Sequence, residues 1–307
     1  MDGQMILTQL LNGLQFGILL FLLSAGLTLV FGIMNFVNLA HGAFYMVGAY
    51  VGATASVASG SFLVGVGMAL LACMLLGLVL EAGLLSKLYP RDHLDQVLAT
   101  FGLILVFNEV ARWLWGPAPV YINAPEALNG VISIGEWSYP AYRLAITGAG
   151  AGAGLVLYLL LARTRVGMLI RAGSVDAEMV AAMGANIKLL NTLVFAVGTA
   201  LAGLAGVMAG PIVSVQPGMG EPVLILALVV IVTGGIGSLR GAFYGALIVG
   251  TVDTLGRAFL PQSLDTFFGP SFAQAAGPAI ASMLIYLLMA GVLAFRPAGL
   301  FPPMRAR

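Results

Sequence analysis

Asn35, Asn38 and His41 recur every third residue in the segment Phe31-Gly32-Ile33-Met34-Asn35-Phe36-Val37-Asn38-Leu39-Ala40-His41-Gly42. On a helix that spacing keeps three hydrogen-bonding side chains close to one face. Flanked by Gly32 and Gly42, they suit a helix break exposed to a protein-lined cavity, where side chains or water satisfy the freed backbone. They suit equally well a polar cap and turn between two helices. A second segment, Gly234-Gly235-Ile236-Gly237-Ser238-Leu239-Arg240-Gly241-Ala242-Phe243-Tyr244, echoes the first. Gly-Ala-Phe-Tyr stands at 42–45 and again at 241–244, and a Gly-Ile precedes each. Weak internal repeats with broken helices at corresponding points are a habit of transporters, so the echo points to a duplication.

Five ionisable residues fall within apolar stretches: Glu81, Glu109, Arg112, Asp253 and Arg257. Glu109 with Arg112 and Asp253 with Arg257 stand at i,i+3 and i,i+4, so each pair can neutralise itself on one helix face. The alternative, a proton or ion relay, calls for unpaired carboxylates on several helices. Glu81, near the end of its apolar run, is expected to reach out to the interface. His41 and His93 are isolated and Cys73 stands alone in an apolar run, which argues against a metal site or a disulfide framework. No Gly-x-x-x-x-Gly-Lys-Ser/Thr phosphate loop and no Gly-x-Ser-x-Gly nucleophile elbow occurs. Catalysis by this chain is not expected, and a net charge of +1 gives no basic field for nucleic acid.

The elements that must position these groups follow from composition. Of 307 residues 60% are hydrophobic and 8% charged, against about 25% charged in soluble domains. Such a chain cannot cover a soluble globule with hydrated surface, and the expected fold is an all-α, polytopic transmembrane helical bundle forming a single domain over 1–307. Runs of about 20 apolar residues place spans near 9–33, 41–58, 62–85, 97–115, 141–162, 189–213, 223–237, 241–258 and 279–295. That makes nine, within a range of eight to ten. The pieces at 41–58, 223–237 and 241–258 are short and Gly-rich, hence candidates for broken or half-length helices. With nine spans, Lys87, Arg91, Arg163, Arg165, Arg171, Lys188, Arg240, Arg296, Arg305 and Arg307 all fall on one side, and Asp2, Glu126, Glu136, Glu221 and Asp265 on the other. Cytoplasmic loops carry the excess of Lys and Arg, so the N-terminus is expected outside and the C-terminus in the cytoplasm. Trp113, Trp115, Trp137 and Tyr139 mark an interfacial belt around the outer loop 116–140.

The cytoplasmic loop 163–188 opens on Arg163-Thr164-Arg165-Val166-Gly167-Met168. It continues through Arg171-Ala172-Gly173-Ser174-Val175-Asp176-Ala177-Glu178-Met179-Val180-Ala181-Ala182-Met183-Gly184. Ser174 can cap a short helix whose first turn holds Asp176 and Glu178, and Gly184 can end it. Its surface is apolar and small. A helix lying on the membrane usually carries Lys or Arg on its polar face; two acids here favour docking on a protein partner.

This loop resembles the EAA coupling loop of ABC-importer permeases, with Glu178 and Gly184 at that motif's Glu-to-Gly spacing and Met179 and Val180 in place of two alanines. That departure is usual in branched-chain amino-acid (LivH-type) permeases. Their blocks are also similar to Phe31–Phe36, Asn38–Gly42, Gly234–Ser238 and Arg296-Pro297-Ala298-Gly299-Leu300-Phe301, in family order over residues 10 to 301. The resemblance implies an inner-membrane permease subunit of a bacterial ABC importer for branched-chain or other hydrophobic amino acids. It implies a second homologous permease, two cytoplasmic ATP-binding subunits and a periplasmic binding protein as partners. ATP would be bound by those partner subunits, with no cofactor in this chain. Arg171, Asp176, Glu178, Met179, Ala182 and Gly184 are then the expected coupling residues. Asn35, Asn38, His41, Gly42, Gly234, Gly235 and Gly237 are the expected translocation path. A stand-alone secondary transporter or channel for small amino acids or amides is the competing reading.

Overall fold

The computed structural model describes residues 3–36, 38–135 and 137–301; Asp2, Val37, Glu136, Arg305 and Arg307 lie outside the described residues. The helices are α1 (Gly3–Met34), α2 (His41–Ser59), α3 (Phe62–Gly83), α4 (His93–Trp115), α5 (Ala141–Arg163), α6 (Arg165–Gly173), α7 (Ala177–Ala182), α8 (Ile187–Ala209), α9 (Gly220–Gly234), α10 (Leu239–Phe268) and α11 (Pro270–Phe295). An antiparallel hairpin, β1 (Val131–Ile134) and β2 (Trp137–Pro140), precedes α5.

Each of the nine expected spans is a helix. Seven are long and apolar enough to cross a membrane: α1, α3, α4, α5, α8, α10 and α11. The other two are α2, with 19 residues, and α9, with 15. At 1.5 Å per residue α9 is about 22 Å long, short of a hydrocarbon core of about 30 Å. Helices α10 and α11 run well beyond the stretches 241–258 and 279–295. The added turns carry Gln262, Ser263, Asp265 and Gln274, and α11 starts on a proline at its first turn, where the missing N–H costs nothing. Apolar length marks only the part of a helix that must be dehydrated, so it understates helices with polar ends.

Helices α1 and α8 form the centre. Helix α1 is apolar all round and buried from Gly17 to Val30, the pattern of a helix enclosed on every side. It packs against α8 and α10, while α2 and α3 pack on the other side of α8. Small residues permit these approaches. A Cβ on Gly250 of α10 would sit 2.5 Å from the backbone nitrogen of Gly17, and Gly48 of α2 lies directly on Gly203 of α8. Apolar side chains of α3, α4, α5 and α11, among them Leu63, Val79, Trp113, Leu155 and Phe295, face outward.

Glu81 departs from expectation. It is buried, and its carboxylate accepts hydrogen bonds from Tyr89 Oη (2.9 Å) and Thr192 Oγ1 (2.5 Å). The loop after α3 folds back over it with Tyr89, and Thr192 of α8 closes it from a distant part of the chain, contacts that the apolar run does not encode. Burial, and then the Glu81 charge, push the Tyr89 phenol well above its ordinary range. The two charged pairs form as expected: Arg112 to Glu109 at 2.6 Å, exposed, and Arg257 to Asp253 at 2.9 Å with the Asp253 side chain buried.

Candidate functional site

The break between α1 and α2 is not helical. Helix α1 ends at Met34, Asn35 takes φ +47°, and α2 starts at His41. Asparagine tolerates that left-handed conformation better than other side-chain-bearing residues. The expected single helix face for Asn35, Asn38 and His41 is therefore corrected: the chain turns between them. Asn35 is exposed, whereas Asn38 and His41 are buried. Leu39 N–H donates to Thr100 Oγ1 of α4 at 3.2 Å, which holds the turn against that helix. The turn carries α2 back into the bundle, so that His41 lies beside Gly26, about two turns before α1 ends. Among the described residues, both polar atoms of the Asn38 side chain lack a hydrogen-bond partner, and the His41 ring faces the Leu23 backbone of α1 without meeting hydrogen-bond geometry at either nitrogen. Ala40 precedes α2 without a side-chain cap.

Helix α9 begins where α2 begins. A Cβ on Gly42 would stand 2.5 Å from the Gly220 carbonyl oxygen, and Gly220 is equally pressed on Gly42. Asn108 of α4 fixes this point. It donates to Glu221 (2.6 Å) and accepts from Gly218 N–H (3.1 Å). At its other end α9 meets Gly241, the glycine of the second Gly-Ala-Phe-Tyr, through Gly234. The break there is held by several hydrogen bonds. Ser238 Oγ accepts from Gly241 N–H (3.1 Å), and the turn residues after α11 donate from Leu300 N–H to the Thr233 carbonyl (2.9 Å) and from Phe301 N–H to the Gly234 carbonyl (2.8 Å). Gly235 (φ +114°), Gly237 (φ +79°) and Gly299 (φ +83°) supply the left-handed backbone this joint needs. Gly237 rests near Gly32, at the end of α1.

A cavity of about 430 Å³ opens among α1, α5, α9, α10 and the α8–α9 connection. Its polar lining includes Asn12, Gln15, Arg143, Asp253 and Arg257; Phe16, Leu19, Tyr45 and Val223 supply apolar wall. Arg143 donates to Asn12 Oδ1 (2.8 Å) and to Gln15 Oε1 (3.3 Å), and Tyr139 of the hairpin donates to the same Asn12 oxygen (3.0 Å). Sequence reasoning passed over Arg143. Its signal was available: it is one of three cations outside the basic side, and the other two have carboxylate partners. Tyr45, at the cavity, is one helical turn beyond His41 on α2.

At the opposite end of the bundle, α6 and α7 project between α5 and α8. Thr164 caps α6 by accepting from Gly167 N–H (3.0 Å), and the Arg171 guanidinium donates to the Leu161 carbonyl. The cap of α7 is Asp176, which accepts from Met179 N–H at 2.8 Å; Ser174 closes α6 instead. Extended backbone at Asp176 (φ −152°) makes it the capping position, whereas Ser174 has helical backbone. Gly184 (φ +90°) ends α7 in a Schellman turn, with Gly184 N–H donating to Ala181 (2.9 Å) and Ala185 N–H to Val180 (3.3 Å). Val180 is buried, while Glu178, Met179, Ala182 and Met183 are exposed. Arg171 and Asp176 thus brace the element, and Glu178, Met179 and Ala182 form its free face. Gly173 sits on Leu190 and Ile33, tying α6 to α8 and to the end of α1.

Comparisons with known proteins agree with this architecture. The family described as the permease component of branched-chain amino acid transport systems matches residues 9–293. The high-affinity branched-chain amino acid transport system permease protein LivH of Salmonella typhimurium is 29% identical over 271 aligned positions, covering 83% of this chain and 87% of LivH. BraD of Pseudomonas aeruginosa, a protein with the same description, is 28% identical and covers 96% and 95%. A probable LivH from Methanocaldococcus jannaschii is 26% identical, at 81% of each. These relatives are transport permease proteins rather than enzymes. No solved structure matches the chain.

Proposed function

The chain belongs to the branched-chain amino acid transport permease family, and on that premise we propose that it is one of two permease subunits in an ATP-driven importer of branched-chain or other hydrophobic amino acids. The observation that carries this reading is the α6–α7 element. A six-residue helix, capped by Asp176 and closed by Gly184, presents Met179, Met183 and Glu178 to solvent between two spans. Exposed methionines on a helix so short are poorly suited to standing free and well suited to a groove on a cytoplasmic ATPase. Gly173 relays that contact to α1 and α8, the two central helices, as coupling between remote sites requires.

The basic residues at this end support a cytoplasmic location for it, with the start of α1 outside. The 430 Å³ cavity is then the outer mouth, supplied by a periplasmic binding protein. Below it the path runs past Tyr45 to His41 and Asn38, whose polar atoms are unpartnered among the described residues. ATP is bound by separate subunits. Reconstitution with the neighbouring ATPase, second permease and binding protein should give amino-acid uptake that stops when ATP is withheld. Uptake by this chain alone would establish a gradient-driven transporter instead. Glu178→Lys should insert normally yet lose the ATPase in pull-down; undiminished capture of the ATPase would remove α7 from the contact.

A further inference from the structure

We propose that the 430 Å³ cavity binds an α-amino acid by both of its charges, with Arg143 taking the carboxylate and Asp253 the ammonium. This rests on the transport reading for its physiological ligand only; the site itself stands on the following geometry. Arg143 enters the cavity from the first turn of α5, and its acceptors are two amide oxygens, Asn12 Oδ1 and Gln15 Oε1. Neutral acceptors orient a guanidinium without cancelling its charge. Both bonds use one terminal nitrogen, which leaves other N–H donors of the fork for a carboxylate. Gln15 is 4% exposed, so the bracket that aims Arg143 is itself built into the core.

Asp253 enters from α10. Among the described residues its two oxygens accept only from Arg257 Nε, at 2.9 and 3.0 Å, and a carboxylate has about four acceptor sites. It is 5% exposed, a buried anion with acceptor capacity left at a cavity wall. With Arg143 and Arg257 against Asp253, the lining carries one net positive charge. The lining thus offers a pole of each sign, a guanidinium at Arg143 and an anion at Asp253, as a zwitterion requires, and Asp253 repels a second carboxylate. The rest of the wall is mainly apolar, with Phe16, Leu19, Leu20, Ile212 and Val223, and suits an aliphatic side chain, while Gln9, Tyr45 and Thr254 add neutral polar groups. About 430 Å³ lies at the small end of the range of about 300–1,000 Å³ for ligand pockets.

The test is equilibrium binding of radiolabelled leucine to the purified chain in nanodiscs. Two competitors each lack one charge: 4-methylpentanoate has no ammonium and 3-methylbutylamine no carboxylate. Leucine should bind, and each competitor should be weaker by at least about tenfold, the effect of losing one charged hydrogen bond. Arg143→Gln should weaken leucine by about ten- to a hundredfold, and Arg143→Lys by less. Asp253→Asn should narrow the gap between leucine and 4-methylpentanoate. Melting temperature is read on every variant; should Arg143→Gln not fold, Arg143→Lys and Asp253→Asn decide the matter. Absence of leucine binding to the folded chain, or equal competition by all three compounds, overturns the proposal. The importer reading fails separately. Leucine binding without ATP-driven uptake in the full assembly would sink that reading and leave this site standing. Full uptake by Arg143→Gln would do the reverse.

Discussion

The two Gly-Ala-Phe-Tyr segments start α2 and α10, and their glycines press on opposite ends of the same short helix, α9. Gly42 meets Gly220 at its start and Gly241 meets Gly234 at its end. Beyond that likeness they differ in how their polar groups are satisfied. At the α9–α10 joint a serine caps the helix, and two backbone bonds from Leu300 and Phe301 close the carbonyls of Thr233 and Gly234. At the α1–α2 break the helix starts uncapped, with Asn38 and His41 buried and unpartnered among the described residues. Unpartnered polar groups at membrane depth are costly and are kept where function needs them. A shared sequence signal therefore marks two different things: a static joint, and a break that holds hydrogen-bonding capacity in reserve.

The largest expected effect comes from unfastening the static joint. A chain stopped after Phe295 loses both strap bonds and the packing of Gly299 on Gly235. It should fail to accumulate as folded protein, measured by fluorescence-detected size exclusion; normal accumulation would show that the joint does not depend on the strap. Next in size is His41→Leu. Melting temperature should hold or rise, since an unpartnered imidazole leaves the core, while ATP-driven uptake falls at least about tenfold, the scale of a typical coupling free energy. Retained uptake would make the α1–α2 break as static as its counterpart. Asn38→Leu should act in the same direction and less strongly, because one amide is lost while His41 remains. The smallest effect is expected from Ser238→Ala. Loss of the cap costs about 1 kcal/mol of stability, with uptake per folded molecule unchanged. A transport defect there, at normal stability, would erase the distinction between the two breaks.

Much of this was legible in the sequence because the bilayer imposes it. Apolar length found nine helices. Local backbone chemistry was legible too: Gly184 ends α7 as its type and position suggested. What escaped is one local choice and two sites built by contacts between segments. The cap fell on Asp176 rather than Ser174 because a turn separates α6 from α7, a choice between two good capping residues that composition does not make. Glu81 looked like an interfacial side chain until Tyr89 and Thr192 were seen to enclose it. Arg143 gained its meaning from Asn12 and Gln15, more than 120 residues earlier. The bundle brings those positions together through helix packing, which no periodicity within one segment records.

Residues 296–301 follow every membrane helix in the chain, so they leave the ribosome after α11 has been made. Until then the carbonyls of Thr233 and Gly234 lack the strap that closes them in the folded chain. The α9–α10 joint is accordingly sealed late in biogenesis, after the helices on both sides of it have inserted. A nascent chain cut short before that point carries those two carbonyls open at the joint between α9 and α10.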